Sequence, residues 1–379
     1  MISLEKVNKI FLLGDLHLGI RNNSIEWANS QKSFLIDHFL NEIDKHEFNE
    51  DTDILIQEGD WFHNREHTNN RIWNDSLEIF SALSKKFKRG VYIILGNHDV
   101  YYKDNNSIHS LKGIEKIFPN IHVFEKPEIL SLNSIHNFLM LPWIEDEDKI
   151  TKEVTSYIGK ADYIICHADI KNFKLNKWVK LHSGLDTKLL SNFSRVFSGH
   201  IHIHQEDGNV LYTGTPFELD RGDRGNPKGY HVIDLIDNNG NTKIVETFEE
   251  NKFSPKFIKI DAFDLLEMKL SDIQKTFNNN YVDVMMRIDK ASAFPVTRFM
   301  EIIESFNYKK IEFFTYNPEV REVSHIEDIN IEEIKDYDIY DIFLSCLSER
   351  EYPESYSNTM KMYFNKLNDK VKNKEKEYE

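Results

Sequence analysis

The sequence predicts an α/β domain that is followed by a smaller α+β domain and a C-terminal helical segment. Five short apolar runs alternate with helix-like segments over residues 1–250, and polar side chains follow each run. Residues 255–325 contain further strand-like and helix-like runs without such polar clusters. From residue 326 the chain becomes acidic and then amphipathic, so we assign residues 326–379 to the third segment.

The composition is that of a globular protein from a reducing compartment. The chain has 379 residues, 40% of them apolar, which is enough to bury a large core. The two cysteines, Cys166 and Cys346, fit neither a disulfide framework nor a metal-ligand spacing, so we expect a cytoplasmic location. The N-terminal apolar run is too short for a signal peptide, and no stretch reaches the roughly 20 apolar residues of a membrane span, so we expect no membrane partner.

The apolar runs of the first domain are predicted to be short buried strands. In chain order they read KIFLLGDLH, DILIQEGDWFH, GVYIILGNHD, DYIICHAD and RVFSGHIH. Helices are predicted between them at Gln31–Ile43 and Ile72–Phe87, where apolar residues recur at helical spacing. Because sites in α/β sheets form beyond the carboxyl ends of the strands, we expect the polar residues of all five runs to converge.

The second and third segments have a different pattern. Strands are predicted at Lys256–Ile260, Val282–Ile288 and Lys310–Phe314, and helices at Asp264–Phe277 and Val296–Ser305. A terminal helix is predicted after Pro353, because apolar residues repeat at helical spacing from Met360 to Val371. These segments lack the polar strand ends, so the candidate chemistry belongs to the first domain.

The polar ends of the five strands supply carboxylate, imidazole and amide groups that can ligate metal ions. This mixture of nitrogen and oxygen donors suits Mn, Fe or Zn better than a thiolate site would. The set is too large for one ion and about right for two, which need a shared anion, and Asp60 is the natural bridging ligand. The candidate ligands are Asp15, His17, Asp60, Asn97, His167, His200 and His202.

The alternative is that these strand-end residues are structural. A single Asp-x-His pair is common by chance, and GNHD could be a simple turn because Gly-Asn and His-Asp favour turns. Five clusters in order, each after an apolar strand, favour the metal site. A pair of divalent ions could hold a phosphate, lower the pKa of a bridging water and stabilise charge in an in-line displacement.

The series GDLH, GDWFH, GNHD, CHAD and GHIH resembles the calcineurin-like metallophosphoesterase superfamily over about residues 10–205. The resemblance implies a metallophosphoesterase β-sandwich flanked by helices, with the smaller domain acting as a DNA-capping domain. GDWFH and GHIHIHQ are similar to the GD-x-FH and G-H-x-H-x-x-Q forms of SbcD-type nuclease subunits of DNA double-strand-break repair complexes. The segment YTGTPFELDRGDRGNPKGYHVID also resembles these subunits, in particular those of T-even-like phages.

The resemblance also implies a role for each matching residue. Asp15, His17, Asp60 and His202 would hold one divalent ion, and Asp60, Asn97, His167 and His200 would hold the other. The ions would be Mn²⁺, with Mg²⁺ as the alternative. His98 would stabilise the transition state or protonate the leaving oxygen, Asp99 would orient its ring, and His63 would lie near His98 and position the phosphate. The alternative for His63 is a surface histidine after a strand.

Basic side chains near these motifs are predicted to contact DNA, although the net charge of −16 argues against general coating of DNA. The loop KNFKLNKWVKLHSG interleaves cations with aromatic residues, which suits a phosphate backbone and an unstacked base. A solvated amphipathic loop would have the same pattern. The candidate DNA-binding residues are Lys171, Lys174, Lys177 and Trp178 in this loop, and Arg221 and Arg224 in LDRGDRGNPKG.

Together these features predict a two-metal-dependent DNA nuclease. The resemblance implies 3′-to-5′ exonuclease activity on duplex ends and endonuclease activity on single strands, in DNA end processing, recombination and repair. It also implies homodimers and an SMC-like coiled-coil ATPase partner of the SbcC type, and a phage protein of this kind would act in the host cytoplasm. The alternatives are a metallophosphoesterase acting on a nucleotide or phosphoprotein, and a non-catalytic scaffold of the same fold.

Two amphipathic helices are candidates for the implied contacts with other chains. The Ile72–Phe87 helix has a broad apolar face that could form the homodimer. The Met360–Val371 helix could dock on the coiled coil of the ATPase partner. Helices packed on their own domain would have the same pattern, so both alternatives stay open for each.

Overall fold

The computed structural model describes residues 1–176, 179–238 and 241–317, together with residue 360. Apart from Met360, the predicted helix after Pro353 lies outside the described residues, as do residues 318–325 of the predicted second domain. Two candidate DNA-binding residues, Lys177 and Trp178, also lie outside them.

The first domain contains two β-sheets that are built from strands β1 to β13. The order is β1-β6-β7-β8-β9-β11-β10 in one sheet and β13-β12-β2-β3-β4-β5 in the other. Strands β2, β3 and β4 are parallel to one another, and β8 is parallel to β9. In chain order the strands are β1 (Ile2–Leu4), β2 (Lys9–Leu13), β3 (Ile54–Gln57), β4 (Val91–Ile94), β5 (Ile121–Phe124), β6 (Glu128–Leu132), β7 (His136–Leu141), β8 (Tyr163–His167), β9 (Arg195–Gly199), β10 (Gln205–Asp207), β11 (Val210–Tyr212), β12 (Gly229–Asn238) and β13 (Asn241–Glu250).

Helices and helical turns connect the strands of this domain. After α2 the chain continues through a π-helical stretch at Phe34–Phe39, so the predicted helix at Gln31–Ile43 is present with one wider turn. In chain order the helices are α1 (Ile20–Asn23), α2 (Ile25–Ser33), α3 (Leu40–Glu42), α4 (Asn70–Lys86), α5 (Ile114–Ile117), α6 (Glu147–Ser156) and α7 (Thr187–Leu190).

Side chains of one strand alternate between two cores, because successive residues of a strand point to opposite faces of the sheet. Ile10 of β2 packs with Phe138 of the other sheet, whereas its neighbour Phe11 shares a core with Leu35 of the helical layer. A third core on the outer face of the seven-stranded sheet includes Val154 of α6. The first domain is therefore a β-sandwich with helices on its outer faces, which confirms the predicted fold class.

The long helix α4 belongs to the core of its own chain. It begins after Asn69, whose side chain accepts a hydrogen bond from the backbone N–H of Arg71 as an N-cap. Ile72, Phe80 and Leu83 are buried in the core beneath the six-stranded sheet. The apolar face that could have formed a homodimer is therefore used within the chain, and the core alternative is the correct one for this helix.

The second domain consists of three parallel strands with helical crossovers, and so is built from βαβ units. The predicted single helix at Asp264–Phe277 is divided in two, because Met268 and Lys269 have extended backbone conformations. The elements are β14 (Phe257–Asp261), α8 (Ala262–Glu267), α9 (Leu270–Phe277), β15 (Tyr281–Arg287), α10 (Val296–Ile303) and β16 (Lys310–Tyr316).

Candidate metal centre

The seven candidate ligands follow or end parallel strands, at the edge where the carboxyl ends of these strands meet. Asp15, His17, Asp60 and His167 are almost completely buried there. The convergence that the strand pattern predicts is therefore present. The strand β2 leads to Asp15 and His17, β3 to Asp60 and β4 to Asn97, while β8 ends at His167 and β9 leads to His200 and His202.

Three of these residues have left-handed backbone conformations that are unusual for side chains with a Cβ atom. The φ angles are 47° at His17, 51° at Asp60 and 83° at His200. Each such residue costs about 1–3 kcal/mol and persists only where the surroundings hold it. The carbonyl of Asp60 accepts the backbone N–H of His17 at 2.8 Å, which ties two of the strained turns together. Left-handed backbone at three ligand positions favours a functional centre over simple turns at these positions.

The glycines of the motifs allow the strand ends to approach one another closely. A Cβ atom on Gly96 would lie 2.1 Å from Asp60 Oδ1 and 2.4 Å from the Asp60 backbone nitrogen. A Cβ atom on Gly59 would lie 2.7 Å from His167 Nδ1. These glycines are therefore required by the packing of one motif against the next.

The first group of donors surrounds the turn after β2. His17 Nε2 lies 2.9 Å from His202 Nε2 and 3.5 Å from Asp60 Oδ2. Donor atoms of Asp15, His17 and His202 all lie within 4.8 Å of one another. These residues, with Asp60, are the ones that the family resemblance implies for one ion.

The second group of donors is centred on Asn97. The Asn97 Oδ1 atom lies 2.9 Å from His167 Nε2 and 3.0 Å from His200 Nδ1. His167 Nε2 also lies 3.4 Å from Asp60 Oδ2, and donor atoms of Asp60, His167 and His200 lie within 4.8 Å of one another. Asp60 Oδ2 is thus close to both groups, as a bridging ligand requires.

The donor set fits two divalent cations. Imidazole nitrogens, carboxylate oxygens and an amide oxygen converge, which is the mixed set that Mn²⁺ and related ions accept. His167 has its other ring nitrogen, Nδ1, 2.7 Å from the Glu58 carbonyl oxygen, so this nitrogen carries a proton and Nε2 is the nitrogen that faces the centre. His200 places Nε2 3.0 Å from Asp169 Oδ1, so its Nδ1 is the inward nitrogen.

Burial and charge set the protonation of the central groups. Burial lowers the pKa of His17 well below its ordinary value and that of His202 to about 4, so both rings are neutral and able to ligate a cation at neutral pH. Burial alone would raise the pKa of Asp60, but the adjacent His167 and His98 together hold it well below its usual range. The shared carboxylate is therefore ionised.

His98 lies beside the metal ligands, and its donor atom lies within 4.8 Å of donor atoms of His17 and His63. Its Nδ1–H donates to the His63 carbonyl oxygen at 2.6 Å, and its backbone N–H donates to Asp60 Oδ1 at 2.8 Å. Burial lowers the pKa of the His98 side chain to about 4. The His63 ring stacks on His98 with centroids 5.3 Å apart and is 6% exposed, so the alternative of a surface histidine is wrong.

The prediction that Asp99 orients the His98 ring is wrong. Asp99 Oδ1 accepts the backbone N–H of Trp61 at 3.0 Å, and Oδ2 accepts that of Gly96 at 3.0 Å. The carboxylate thus joins the GNHD turn to the GDWFH turn, and the His63 carbonyl orients the ring. A short acidic side chain next to a turn readily accepts hydrogen bonds from nearby backbone N–H groups.

Three further residues support the centre. Glu58 supplies the carbonyl to His167, and its buried side chain accepts a hydrogen bond from Thr213. Asp169, two residues after His167, contacts His200. Trp143 packs its indole against His200 with centroids 4.9 Å apart. Asp169 could have been found from its place in CHAD, whereas Trp143 reaches the site from a loop with no motif.

The candidate DNA-binding residues have different surroundings. Lys171 forms an ion pair with Glu147 at 2.6 Å, whereas Lys174 is exposed. Arg221 donates through Nε and Nη2 to the two oxygens of Asp283, at 2.8 and 3.1 Å, and Arg224 donates to Asp283 Oδ2 at 2.5 Å. Both arginines therefore fasten the second domain to the first, and a role in DNA binding would compete with this contact.

A β-sandwich with a centre of histidine and aspartate side chains at its strand ends defines a metal-dependent phosphoesterase. Residues 8–204 match the calcineurin-like phosphoesterase family, and the chain belongs to this family. The chain is also similar to exonuclease subunit 1 of Enterobacteria phage T4, with 28% identity over 319 residues. The aligned region covers 80% of this chain and 88% of that protein. Membership of the family makes the protein a hydrolase that uses divalent metal ions.

None of the helices in the described parts of the chain has the length and apolar character needed to cross a membrane.

Proposed function

We propose that the protein is a DNA nuclease that hydrolyses phosphodiester bonds with two divalent metal ions. The observation that carries the proposal is the position of Asp60. Its Oδ2 lies 3.5 Å from His17 Nε2 and 3.4 Å from His167 Nε2, and its Oδ1 accepts the backbone N–H of His98. One carboxylate therefore connects both groups of ligands to the histidine that we assign to catalysis. The similarity to an exonuclease subunit supports DNA as the substrate.

The ligands fall into two sets that share Asp60. We assign Asp15, His17 and His202 with Asp60 to one ion, and Asn97, His167 and His200 with Asp60 to the other. We propose Mn²⁺ as the ion, with Mg²⁺ as the alternative. When bound, the ions supply a water of lowered pKa and offset the charge of the phosphate.

His98 is proposed to act on the leaving oxygen. Its Nδ1–H donates to the His63 carbonyl, which fixes the ring and leaves Nε2 for the substrate. Because the side-chain pKa is lowered to about 4, the ring is neutral in the free protein. A phosphate anion placed beside it raises this pKa, so Nε2 can take up a proton and pass it to the leaving oxygen. The adjacent His63 is proposed to position the phosphate.

The finer activity follows the family resemblance. We propose 3′-to-5′ exonuclease activity on duplex ends and endonuclease activity on single strands, in end processing, recombination and repair. The exposed cation of Lys174 supports DNA binding, and we keep Lys171, Lys177, Trp178, Arg221 and Arg224 as proposed contacts. The second domain is proposed to cap the DNA.

The protein is also proposed to work with a partner. The phage T4 relative is named as a subunit, which supports an assembly with another chain. We propose an SMC-like coiled-coil ATPase as that chain and the cytoplasm, that of the host for a phage protein, as its location. A homodimer stays a proposal without an assigned surface, because the apolar face of α4 is buried.

The test is hydrolysis of a single-stranded circular DNA in Mn²⁺, compared with hydrolysis of a nucleotide and of a phosphopeptide. Cleavage of the circle, abolished by Asp60→Asn, is expected. Cleavage of only a small substrate would replace the nuclease with a phosphoesterase of another class. A protein that takes up no Mn²⁺ and cleaves nothing would be a scaffold of the same fold.

A further inference from the structure

Residues 171–176 and 179–181 form a hairpin next to the metal centre, which we call the lysine hairpin. Its arms are joined where Leu175 donates its backbone N–H to the Val179 carbonyl at 2.8 Å and Leu181 donates to the Phe173 carbonyl at 2.8 Å. Lys174 and Lys180 are directly opposite one another as an antiparallel pair. The hairpin therefore has a defined register.

The register places both lysines on the solvent face of the hairpin. Phe173, Val179 and Leu181 are buried, and successive residues of paired strands point to opposite faces. Lys174 and Lys180 are both exposed on the other face. Phe173 packs edge-on against Tyr212, with centroids 5.0 Å apart, which fixes the hairpin on the sandwich.

The pairing places two like charges at directly opposite positions of the hairpin. Like charges directly opposite on paired strands destabilise the pair. Neither lysine forms an ion pair with any residue in the described part of the chain, although the neighbouring Lys171 is paired with Glu147. In a chain with a net charge of −16, two facing cations without acidic partners provide a site for an anion. A phosphate group between them would remove the repulsion.

Two residues, Gln205 and Asp169, link the region of the lysine hairpin to the chain around the metal centre. Gln205 accepts the backbone N–H of Lys174 at 2.9 Å and donates its amide to the Lys174 carbonyl at 2.6 Å. Gln205 follows His202 by three residues, a distance of at most about 11 Å along the chain. At the base of the hairpin, Asp169 accepts the backbone N–H of Leu185 through its carbonyl and contacts His200 Nε2 through its carboxylate.

We propose that Lys174 and Lys180 form a binding site for a backbone phosphate of the DNA strand that is cut, and that Gln205 is the positioning residue that sets this site beside the metal ligands. The inference rests on the proposed nuclease function. It adds Lys180 and Gln205 to the residues that the substrate requires, and it gives the glutamine of GHIHIHQ a physical role.

The test measures binding of a fluorescent single-stranded oligonucleotide in Ca²⁺, over a series of salt concentrations, with intact length checked afterwards. Each of Lys174→Gln and Lys180→Gln should weaken binding roughly fivefold at 0.1 M salt and lower the slope of log affinity against log salt, and the double variant should lower the slope by about 0.7, the value for one phosphate contact on a single strand. Lys116→Gln, an exposed lysine on α5, is the matched control and should change neither quantity.

The role of Gln205 is tested with two variants. Gln205→Ala removes both hydrogen bonds to Lys174 and should weaken binding and lower the slope in the same direction as the lysine variants. Gln205→Glu keeps the acceptor for the Lys174 N–H, so its hairpin should be cleaved by trypsin more slowly than that of Gln205→Ala, although the added negative charge weakens DNA binding. Trypsin cleavage after Lys174 should be faster in Gln205→Ala without DNA, and the wild-type hairpin should be protected by the oligonucleotide.

The outcomes separate the inference from the proposed function. Wild-type protein that binds no oligonucleotide would overturn the nuclease proposal. Wild-type protein that binds, together with lysine variants of unchanged affinity and slope, would overturn the phosphate site alone. Lysine variants that weaken binding while Gln205→Ala does not would overturn the positioning role. If Gln205→Ala fails to fold, Gln205→Glu and the trypsin assay decide that role.

Discussion

His98 is held by two contacts that leave one ring nitrogen available. Its Nδ1–H donates to the His63 carbonyl, and its backbone N–H donates to the shared carboxylate of Asp60. A carbonyl oxygen can only accept, so Nδ1 carries the proton and Nε2 has the lone pair. The ring is thus pre-set for proton transfer at Nε2 and is poorly placed to ligate an ion through Nδ1.

Replacing this ring should remove catalysis without emptying the centre. His98→Gln is expected to lower kcat for oligonucleotide hydrolysis by about 10²–10⁴-fold, the usual contribution of a general acid. Mn²⁺ stoichiometry and oligonucleotide affinity should stay at wild-type values, as measured by calorimetry and anisotropy. His122→Gln on the edge strand β5 is the control. Loss of metal together with activity would instead make His98 a ligand.

Asp169 supports one of the ligands from outside the centre. Its carboxylate holds His200 Nε2 at 3.0 Å, while His200 Nδ1 faces Asn97. A carboxylate behind a metal-binding imidazole fixes the orientation of the ring and makes it more basic. Removing the carboxylate should therefore weaken one of the two ion positions more than the other.

Asp169→Ala is expected to weaken binding of one Mn²⁺ by about 10–100-fold while the second ion binds as before. An electron paramagnetic resonance titration, which follows free Mn²⁺, counts the tight and weak positions. Asp169→Asn keeps an oxygen acceptor and should fall between the alanine variant and wild type. Asp207→Ala, on exposed β10, is the control. Two equally tight positions in Asp169→Ala would rule out this supporting role.

At the scale of elements, α4 and the turns after the strands form one packed unit. Trp61 stacks on Phe80 of α4 with centroids 4.0 Å apart, and its Nε1–H donates to Ser76 at 2.8 Å. Trp61 directly follows Asp60, so the helix holds the turn that carries the shared ligand. The buried helix α4 therefore holds in place the turn that carries Asp60.

The turn after β4 has no space for a side chain at its glycine. Gly96→Ala is expected to displace Asp60, because the new Cβ would lie 2.1 Å from its Oδ1, and both ions should bind at least tenfold more weakly. The cost in stability should be about 1–3 kcal/mol, as for other overpacked sites. Metal titration and chemical denaturation measure the two effects.

Gly113→Ala is the matched control for this variant. A Cβ on Gly113 meets nothing within 4 Å, but its φ of 89° is strained for alanine. The control should therefore lose some stability and keep its full Mn²⁺ content. Equal metal binding by Gly96→Ala and wild type would show that the turn can move without disturbing Asp60.

Sequence patterns predicted these elements to different degrees. The strand ends at Asp15, Asp60 and His167 could be found because an apolar run followed by polar residues marks the carboxyl edge of a parallel sheet. The role of Asp99 could not be predicted, because its carboxylate accepts a hydrogen bond from a turn that lies more than thirty residues away in the chain. Helical periodicity of α4 does not distinguish a core face from a subunit interface.

At the scale of the whole molecule, the second domain is fixed to the sandwich. Trp27 stacks on Phe257 and packs against Tyr281, with centroids 5.8 and 5.2 Å away. Asp283, which is buried, receives hydrogen bonds from Arg221 and Arg224. The junction thus combines aromatic packing with a compensated buried charge, and the second domain has a defined position relative to the strand ends.

The sandwich also concentrates acidic groups at one edge. Asp15, Glu58, Asp60 and Asp99 are all buried there. Burial raises the pKa values of Asp15 and Glu58 well above their ordinary range, and the charge of Asp60 raises that of Asp15 further. Together with the left-handed backbone at three ligands, this makes the metal-free edge a source of instability in the fold.

Divalent cations should therefore stabilise the whole molecule. An ion that binds only the folded state adds about 2.7 kcal/mol to the free energy of unfolding at a concentration of 100 times its Kd. We expect Mn²⁺ to raise the Tm of the metal-free protein by several degrees, and EDTA to reverse the rise. Asp60→Asn should show little of this shift, because its side chain is uncharged and has a single oxygen, so it cannot replace the carboxylate that both ligand groups share. Differential scanning calorimetry of both proteins at matched Mn²⁺ concentrations measures the shifts, and an equal rise in the variant would refute the shared-ligand arrangement.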